Sequence, residues 1–270
     1  MGEILLMTGF SFVGVLFTDP SSWANPSIFL PLLLYVAFYV MAVYFLNSYA
    51  DYAADMLSER LKNVSKLSRS KYLGLLVLAC MAFSALSYYI SYILLAICWL
   101  GMLLWFFYYV PPFRFKATLF GGSIIHFIAG IVHFQMGYCS YQPFSSNSLL
   151  ISIFFATLLC IGHLHHEIID VENDTLAGYQ TTAVRIGVKR MLQLRTATIA
   201  IATIYLSVLL AMGIIEAMDF NLLLLPTLIL LVNSILLKGN KHQTLLFQYI
   251  SRGVFLLFCF LLLVIKWLAS

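Results

Sequence analysis

The chain has 270 residues, 62% hydrophobic and only 10% charged, with a mean hydropathy of +0.96. A soluble core does not need that much apolar surface, so composition points to an integral membrane protein and excludes a soluble enzyme. The net charge of +4 is too small to point to a nucleic-acid partner.

A membrane span needs about 20 apolar residues, somewhat fewer where it is short or tilted. Nine stretches qualify, at 3–18, 28–50, 72–90, 92–110, 118–138, 148–168, 191–213, 219–237 and 249–268. The first is preceded by Glu3 where a cleaved leader would carry a basic segment, so no cleavage is expected. The third and fourth are separated only around Tyr88–Tyr92, which predicts a tight hairpin. Lipid offers the backbone no hydrogen-bond partner, so the expected fold is all-α: a bundle of nine transmembrane helices in a single domain over residues 1–270. Cys80, Cys98, Cys139, Cys160 and Cys259 are scattered without metal-ligand spacing and read as small apolar fillers.

The connecting segments alternate in charge. Arg60, Lys62, Lys66, Arg69 and Lys71 follow the second stretch; Arg114 and Lys116 follow the fourth. Arg185, Lys189, Arg190 and Arg195 follow the sixth, and Lys238, Lys241 and Arg252 follow the eighth. The opposite segments hold Asp19, Glu216 and Asp219 and no Lys or Arg, Lys266 being the one exception near the end of the chain. The positive-inside rule then places the N-terminus and the basic side in the cytoplasm and the C-terminus outside. Lys238 and Lys241 need no role beyond topology.

Two acidic motifs end apolar stretches on that basic side. Asn47, Asp51 and Asp55 recur every four residues and so share one helical face. Carboxylates at the end of a lipid-buried helix are costly, and their oxygens are hard ligands of the kind Mg²⁺ takes. In the sixth stretch His163, Glu167, Asp170 and Asp174 share a face, and His166, Asp170 and Asp174 form a neighbouring row. Thr181 and Thr182 follow as residues able to cap a helix or bind a phosphate, and Arg185 as one able to neutralise it. A third element, Tyr108-Tyr109-Val-Pro111-Pro112-Phe-Arg114-Phe-Lys116, combines a rigid turn with cations and a phenol. It reads either as an interfacial belt or as a diphosphate cradle.

Together these motifs resemble the UbiA superfamily of intramembrane prenyltransferases. Asn47, Asp51 and Asp55 match its NxxxDxxxD signature. Asp170 and Asp174, with Gly178, Thr181, Val184, Arg185 and Gly187 behind them, match its second signature, and Tyr109, Pro111, Pro112, Arg114 and Lys116 match its YxPPxRxK loop. The resemblance implies a bundle enclosing a central cavity in which the motifs face each other. Asn47, Asp51, Asp55, Asp170 and Asp174 would bind Mg²⁺, two ions being expected, with the four aspartates as the catalytic carboxylates. Tyr109, Arg114, Lys116, Arg185, Lys62 and His166 would contact the diphosphate. The partners implied are an isoprenyl diphosphate, a lipophilic acceptor and membrane lipids; the reaction is ionisation of the allylic C–O bond and capture of the cation by the acceptor.

Four departures from the family pattern bear on the acceptor. His166 stands where Asn or Asp is usual; Tyr179 and Gln180 replace basic residues; the KxxRP sequence after the first motif is missing, leaving Lys62, Lys66 and Arg69; and the first stretch carries no cation for an acceptor carboxylate. His126 and His133 lie seven apart on the fifth stretch, and His163 and His165 lie on the sixth. Intramembrane His is ordinarily a helix–helix hydrogen-bonder; His163, on the carboxylate face, is a candidate general base, and Glu167 a candidate metal or diphosphate contact. Gln135 and Met136 are expected in the core. The rival reading is a terpene cyclase of the same superfamily, in which the substrate's own alkene captures the cation. An ion transporter would also use intramembrane carboxylates, but both motifs lie at one membrane face and no inverted repeat is apparent.

Overall fold

The computed structural model describes residues 2–23, 25–57, 67–236 and 241–269, and within them the side chains other than those of 2–8, 53–57, 241–242 and 269. The described residues form helices and no strand. These are α1 (Gly2–Leu16), α2 (Pro26–Leu57), α3 (Arg69–Ile90), α4 (Tyr92–Tyr109), α5 (Gly121–Tyr138), α6 (Ser146–Leu176), α7 (Thr182–Ile186), α8 (Val188–Ala211), α9 (Ala217–Leu236) and α10 (Lys241–Ala269). Local chemistry sets several boundaries. The Ser91 hydroxyl accepts from the Ile93 amide at 3.2 Å and starts α4 directly after α3, so the expected hairpin is a single cap residue. Ser145 and Ser148 cap the start of α6 reciprocally.

Two helices run well past the apolar stretches that foretold them. α2 continues to Leu57 and α6 to Leu176, so both acidic motifs are helical and their residues recur one turn apart along the helix. α10 starts at Lys241, eight residues before its apolar run begins. Apolarity marks where lipid ends; the hydrogen-bonded helix continues where its polar residues face protein.

Among the described residues, seven helices are long and apolar enough to cross a membrane: α2, α3, α4, α6, α8, α9 and α10. The remaining two expected crossings coincide with α1, which has 15 residues, and with α5, which carries His126, His133 and Gln135. α5 lies largely buried between its neighbours, where those polar groups meet protein: His133 Nδ1 lies 3.4 Å from Ser11 Oγ, and Gln135 Oε1 accepts from Ser148 Oγ at 3.2 Å. Gln135 and Met136 are core residues, as expected.

From α2 to α10 each long helix packs on the next, and α1 closes the ring by touching both α10 and α2 while lying against α5. Two apolar clusters fill it, one around Phe134, Phe155, Ile199 and Leu206 and the other around Tyr35, Tyr39, Phe83 and Trp105, and both draw on α5. The outside is the inverse of a soluble protein: Leu78, Met81, Ile204 and Phe260 are exposed, whereas Ser152, Thr182 and Arg195 are buried. Tyr88, Tyr89 and Tyr92 stand exposed at the α3–α4 turn, where an interfacial aromatic belt is expected.

α1 and α5 meet backbone to backbone because glycine is present on both. A Cβ at Gly137 would lie 1.7 Å from the Ser11 carbonyl oxygen, and one at Gly14 would lie 2.0 Å from that of Phe134. Replacing Gly137 by Val should force the helices apart and lower the thermal midpoint of the detergent-solubilised protein by several degrees, equivalent to about 2–3 kcal/mol of overpacking. Gly74→Ala, at a position with nothing within 4 Å of the added carbon, should leave the midpoint unchanged or slightly raised.

Candidate active site

A cavity of about 490 Å³ opens between the ends of α2, α4 and α6 and runs inward between α5, α6, α9 and α10. Asn47 and Asp51 line it from α2, and His166, Asp170 and Asp174 from α6. The segment after α4 crosses its mouth and brings Tyr109 and Lys116 to the wall. Arg114 adopts the left-handed conformation with φ 36°, which is uncommon for a residue with a Cβ. Its guanidinium donates to Asp51 Oδ1 at 2.7 Å and to the Tyr179 hydroxyl at 2.6 Å. Lys116 pairs with the other Asp51 oxygen. The rings of Tyr179 and Tyr109 lie beneath the two cations, at 4.9 and 5.2 Å.

Tyr179 thus occupies the place of a missing basic residue without being one. Burial pushes its phenol up from the usual range, and the Arg114 charge opposes that shift. The hydroxyl keeps its proton, accepts from Arg114 and faces the cavity as a donor. The Gln180 amide donates to the Ala117 carbonyl at 3.1 Å, which ties the segment after α6 to the one after α4.

Glu167 lines the same cavity, with its oxygens held by protein groups. One of its oxygens lies 2.9 Å from His163 Nε2 and 3.5 Å from the Thr182 hydroxyl, and the other accepts from the Ala183 amide at 3.0 Å. Thr182 in turn accepts from the Phe120 amide at 3.1 Å, so Glu167 and Thr182 fasten α7 to α5 and α6. Thr181 lines the cavity beside them. The His163 ring lies flat on that of His126, 3.9 Å between centroids, and Trp105 and Tyr108 meet His126 edge to face.

The inner walls are apolar, with Phe10, Leu158, Leu159, Leu230 and Phe255. On α10, Gln248, Ser251 and Arg252 form a polar stripe that also lines the cavity. Arg252 reads in the sequence as one of the basic-side cations; in the structure it lies on the cavity wall. His165 lines the same wall, and its Nδ1 lies 3.0 Å from Nη1 of Arg195, which is fully buried over the Phe247 ring and bonded to Ser234.

Of the sequence candidates, Asn47, Asp51, Tyr109, Lys116, His166, Asp170 and Asp174 meet at one cavity, with Arg114 bonded to Asp51. Arg185 is exposed on α7 and is not a cavity residue. Lys62 and the side chain of Asp55 lie outside the described residues. Asn47, Asp51, Asp170 and Asp174 form an oxygen-rich donor set that suits a hard cation such as Mg²⁺. No three His, Cys, Asp or Glu side chains among the described residues gather closely enough to hold an ion unaided; Mg²⁺ commonly takes one or two carboxylates and fills its shell with phosphate and water.

Residues 7–252 match the model of the UbiA prenyltransferase family. The chain belongs to that family. No curated protein sequence matches it. Among solved structures it resembles a UbiA homologue from Archaeoglobus fulgidus bound to GPP and Mg²⁺, with TM-score 0.77 and 20% identity over 97% of this chain and 96% of that one. It also resembles digeranylgeranylglyceryl phosphate synthase, with TM-score 0.75 and 15% identity over 98% and 94%. A UbiA homologue from Aeropyrum pernix K1 in its apo state gives TM-score 0.71 and 16% identity over 96% and 97%. At these identities the likeness is one of fold, an integral multi-pass UbiA bundle.

Glu167→Ala should release α7 from the UbiA bundle. Hydrogen exchange read by mass spectrometry should show the amides of 181–186 exchanging at least about tenfold faster, the loss of one buried charge-assisted hydrogen bond, while the start of α4 stays protected.

Proposed function

We propose that this chain is an Mg²⁺-dependent intramembrane prenyltransferase, working as one domain, that ionises an isoprenyl diphosphate and transfers the prenyl group to a lipophilic acceptor. The observation that carries the proposal is a single cavity with acidic oxygen donors from two helix ends, two cations at its mouth and an apolar, aromatic interior. A UbiA homologue from A. fulgidus with this fold has been seen bound to GPP and to DMAPP, each with Mg²⁺.

Asn47, Asp51, Asp55, Asp170 and Asp174 would hold the metal, two ions being the expected number. Bound Mg²⁺ would supply positive charge against the diphosphate leaving group. Arg114 and Lys116 are already held at the mouth by Asp51, so both can turn to a diphosphate without first being ordered. Tyr109, Tyr179 and His166 would add hydrogen bonds to it. The prenyl chain would lie between Phe10, Leu158, Leu159 and Leu230, whose side chains exclude water from the cation. Trp105 and Tyr108 also line the cavity, and their π electrons would stabilise the cation. Arg252, with Gln248 and Ser251, gives the opposite wall a cation and hydrogen-bonding groups for an acceptor, which supports transfer over cyclisation. The charge alternation puts the cavity mouth and N-terminus in the cytoplasm and supports nine crossings.

The cyclase reading draws on the aromatic and imidazole rings around the inner cavity, which would suit a substrate folding on itself. Diphosphates of ten to twenty carbons, given with Mg²⁺ to the purified protein in lipid, distinguish the two. Asp51→Ala and Asp174→Ala should each cut diphosphate release by about 100-fold or more; unchanged release in both would refute the proposal. A cyclic hydrocarbon or alcohol formed without acceptor, seen by gas chromatography, would identify a cyclase.

A further inference from the structure

Capture of an allylic cation by a neutral acceptor leaves one proton too many, which a base in the cavity must take. The geometry points to His126 as the base that does. This rests on the prenyl-transfer reading above.

His126 sits one turn into α5 and lines the cavity. Its Nδ1 lies 2.9 Å from the Gly122 carbonyl. A carbonyl only accepts, so Nδ1 carries the proton and Nε2 presents a bare lone pair. Nε2 has no hydrogen-bond partner among the described residues, and the side chain is only half-buried, so the lone pair is available to a ligand. His163 is tied to Glu167 through Nε2 at 2.9 Å and serves as the ring on which His126 stacks.

The surroundings are built to receive the resulting charge. His163 lies against His126 as a flat, parallel ring, and Glu167 stands directly behind it. Three donors converge on Glu167, the pattern that suits a carboxylate, so an imidazolium at His126 would form one ring away from a negative charge. The edge-to-face contacts with Trp105 and Tyr108 keep the ring oriented. Gly122 makes the arrangement possible, since a Cβ there would lie 2.4 Å from His163 Nε2.

The step balances. The C1–O bond breaks with its electron pair going to the diphosphate; C1 bonds to the acceptor; the acceptor's proton passes to Nε2 and its bonding pair stays with the acceptor. Without an acceptor, the prenyl cation itself loses a proton to Nε2 and becomes a conjugated diene, which in a geranyl group carries a third, isolated double bond.

The latter route gives a test with a defined probe. Geranyl diphosphate labelled with ¹⁸O at the bridging oxygen is given with Mg²⁺ and no acceptor to the wild type and to His126→Gln. Label scrambling reports ionisation, and gas chromatography reports dienes against the alcohols formed by water capture. The variant should scramble label within about twofold of the wild type while its diene-to-alcohol ratio falls about 100-fold, the scale of a lost general base. An unchanged ratio would overturn the assignment, and so would an equal loss of scrambling and dienes, since that is what a merely structural residue gives. Absence of scrambling in the wild type would instead defeat the prenyl-transfer reading itself. A second readout needs no turnover: diethyl pyrocarbonate should modify His126, and geranyl thiodiphosphate with Mg²⁺ should block it. An unreactive His126 would count against the bare lone pair.

Discussion

The structure depends on how Asp51 is neutralised. A carboxylate at the end of an apolar helix must find positive charge or stay in water. Asp51 finds two cations, both on the short segment after α4. That segment can deliver them because Arg114 takes a left-handed backbone and Lys116 sits in the following turn. The pairing brings the end of α2 to the end of α4. Tyr179, bound to the same guanidinium, draws in the segment after α6. The mouth of the cavity is thereby defined by one carboxylate and its partners. Because the pairs are partly exposed, they are exchangeable: a charged ligand can take over the cations while solvent and other ligands attend to Asp51.

α5 shows the complementary solution deeper in the bundle. It carries His126, His133 and Gln135, yet it is central to both apolar clusters. Its His and Gln side chains are matched to partners on α1 and α6 or face the cavity. Glycines at 122, 130 and 137 let those neighbours approach it closely. Polarity and small size on one helix therefore serve the same end: they turn a membrane-length element into the inner wall of a reaction chamber.

Much of this was legible in the chain. The helices follow from apolar length, and the acidic motifs from a spacing of four that a helix turns into a face. The Arg114–Lys116 loop was visible because paired prolines beside cations are unusual. What escaped were relations between elements. Glu167 shares its face with the aspartates, yet it is spent on fastening α7, since the Ala183 amide reaches it from a turn that no periodicity announces. Tyr179 looked like a lost cation, and only its contact with Arg114 shows it as a partner to one. His126 was one of several intramembrane histidines; its carbonyl contact and its stack on His163 belong to the packing of α5 on α6. Arg252 was grouped with the basic connecting segments by its charge although it lies inside the ninth stretch, and only the packing of α10 places it on the cavity wall.

Arg195 carries a consequence for biogenesis. It is fully buried, with its guanidinium spread between His165 of α6, Ser234 of α9 and the Phe247 ring of α10, and no carboxylate among the described residues pairs with it. Released alone into the bilayer, α8 would carry an unsolvated cation against hydrocarbon, at a cost that hydrogen bonds to water or to other helices must offset. The place of α8 in the bundle is therefore tied to α6, α9 and α10 together, the three helices that supply the partners of its buried cation.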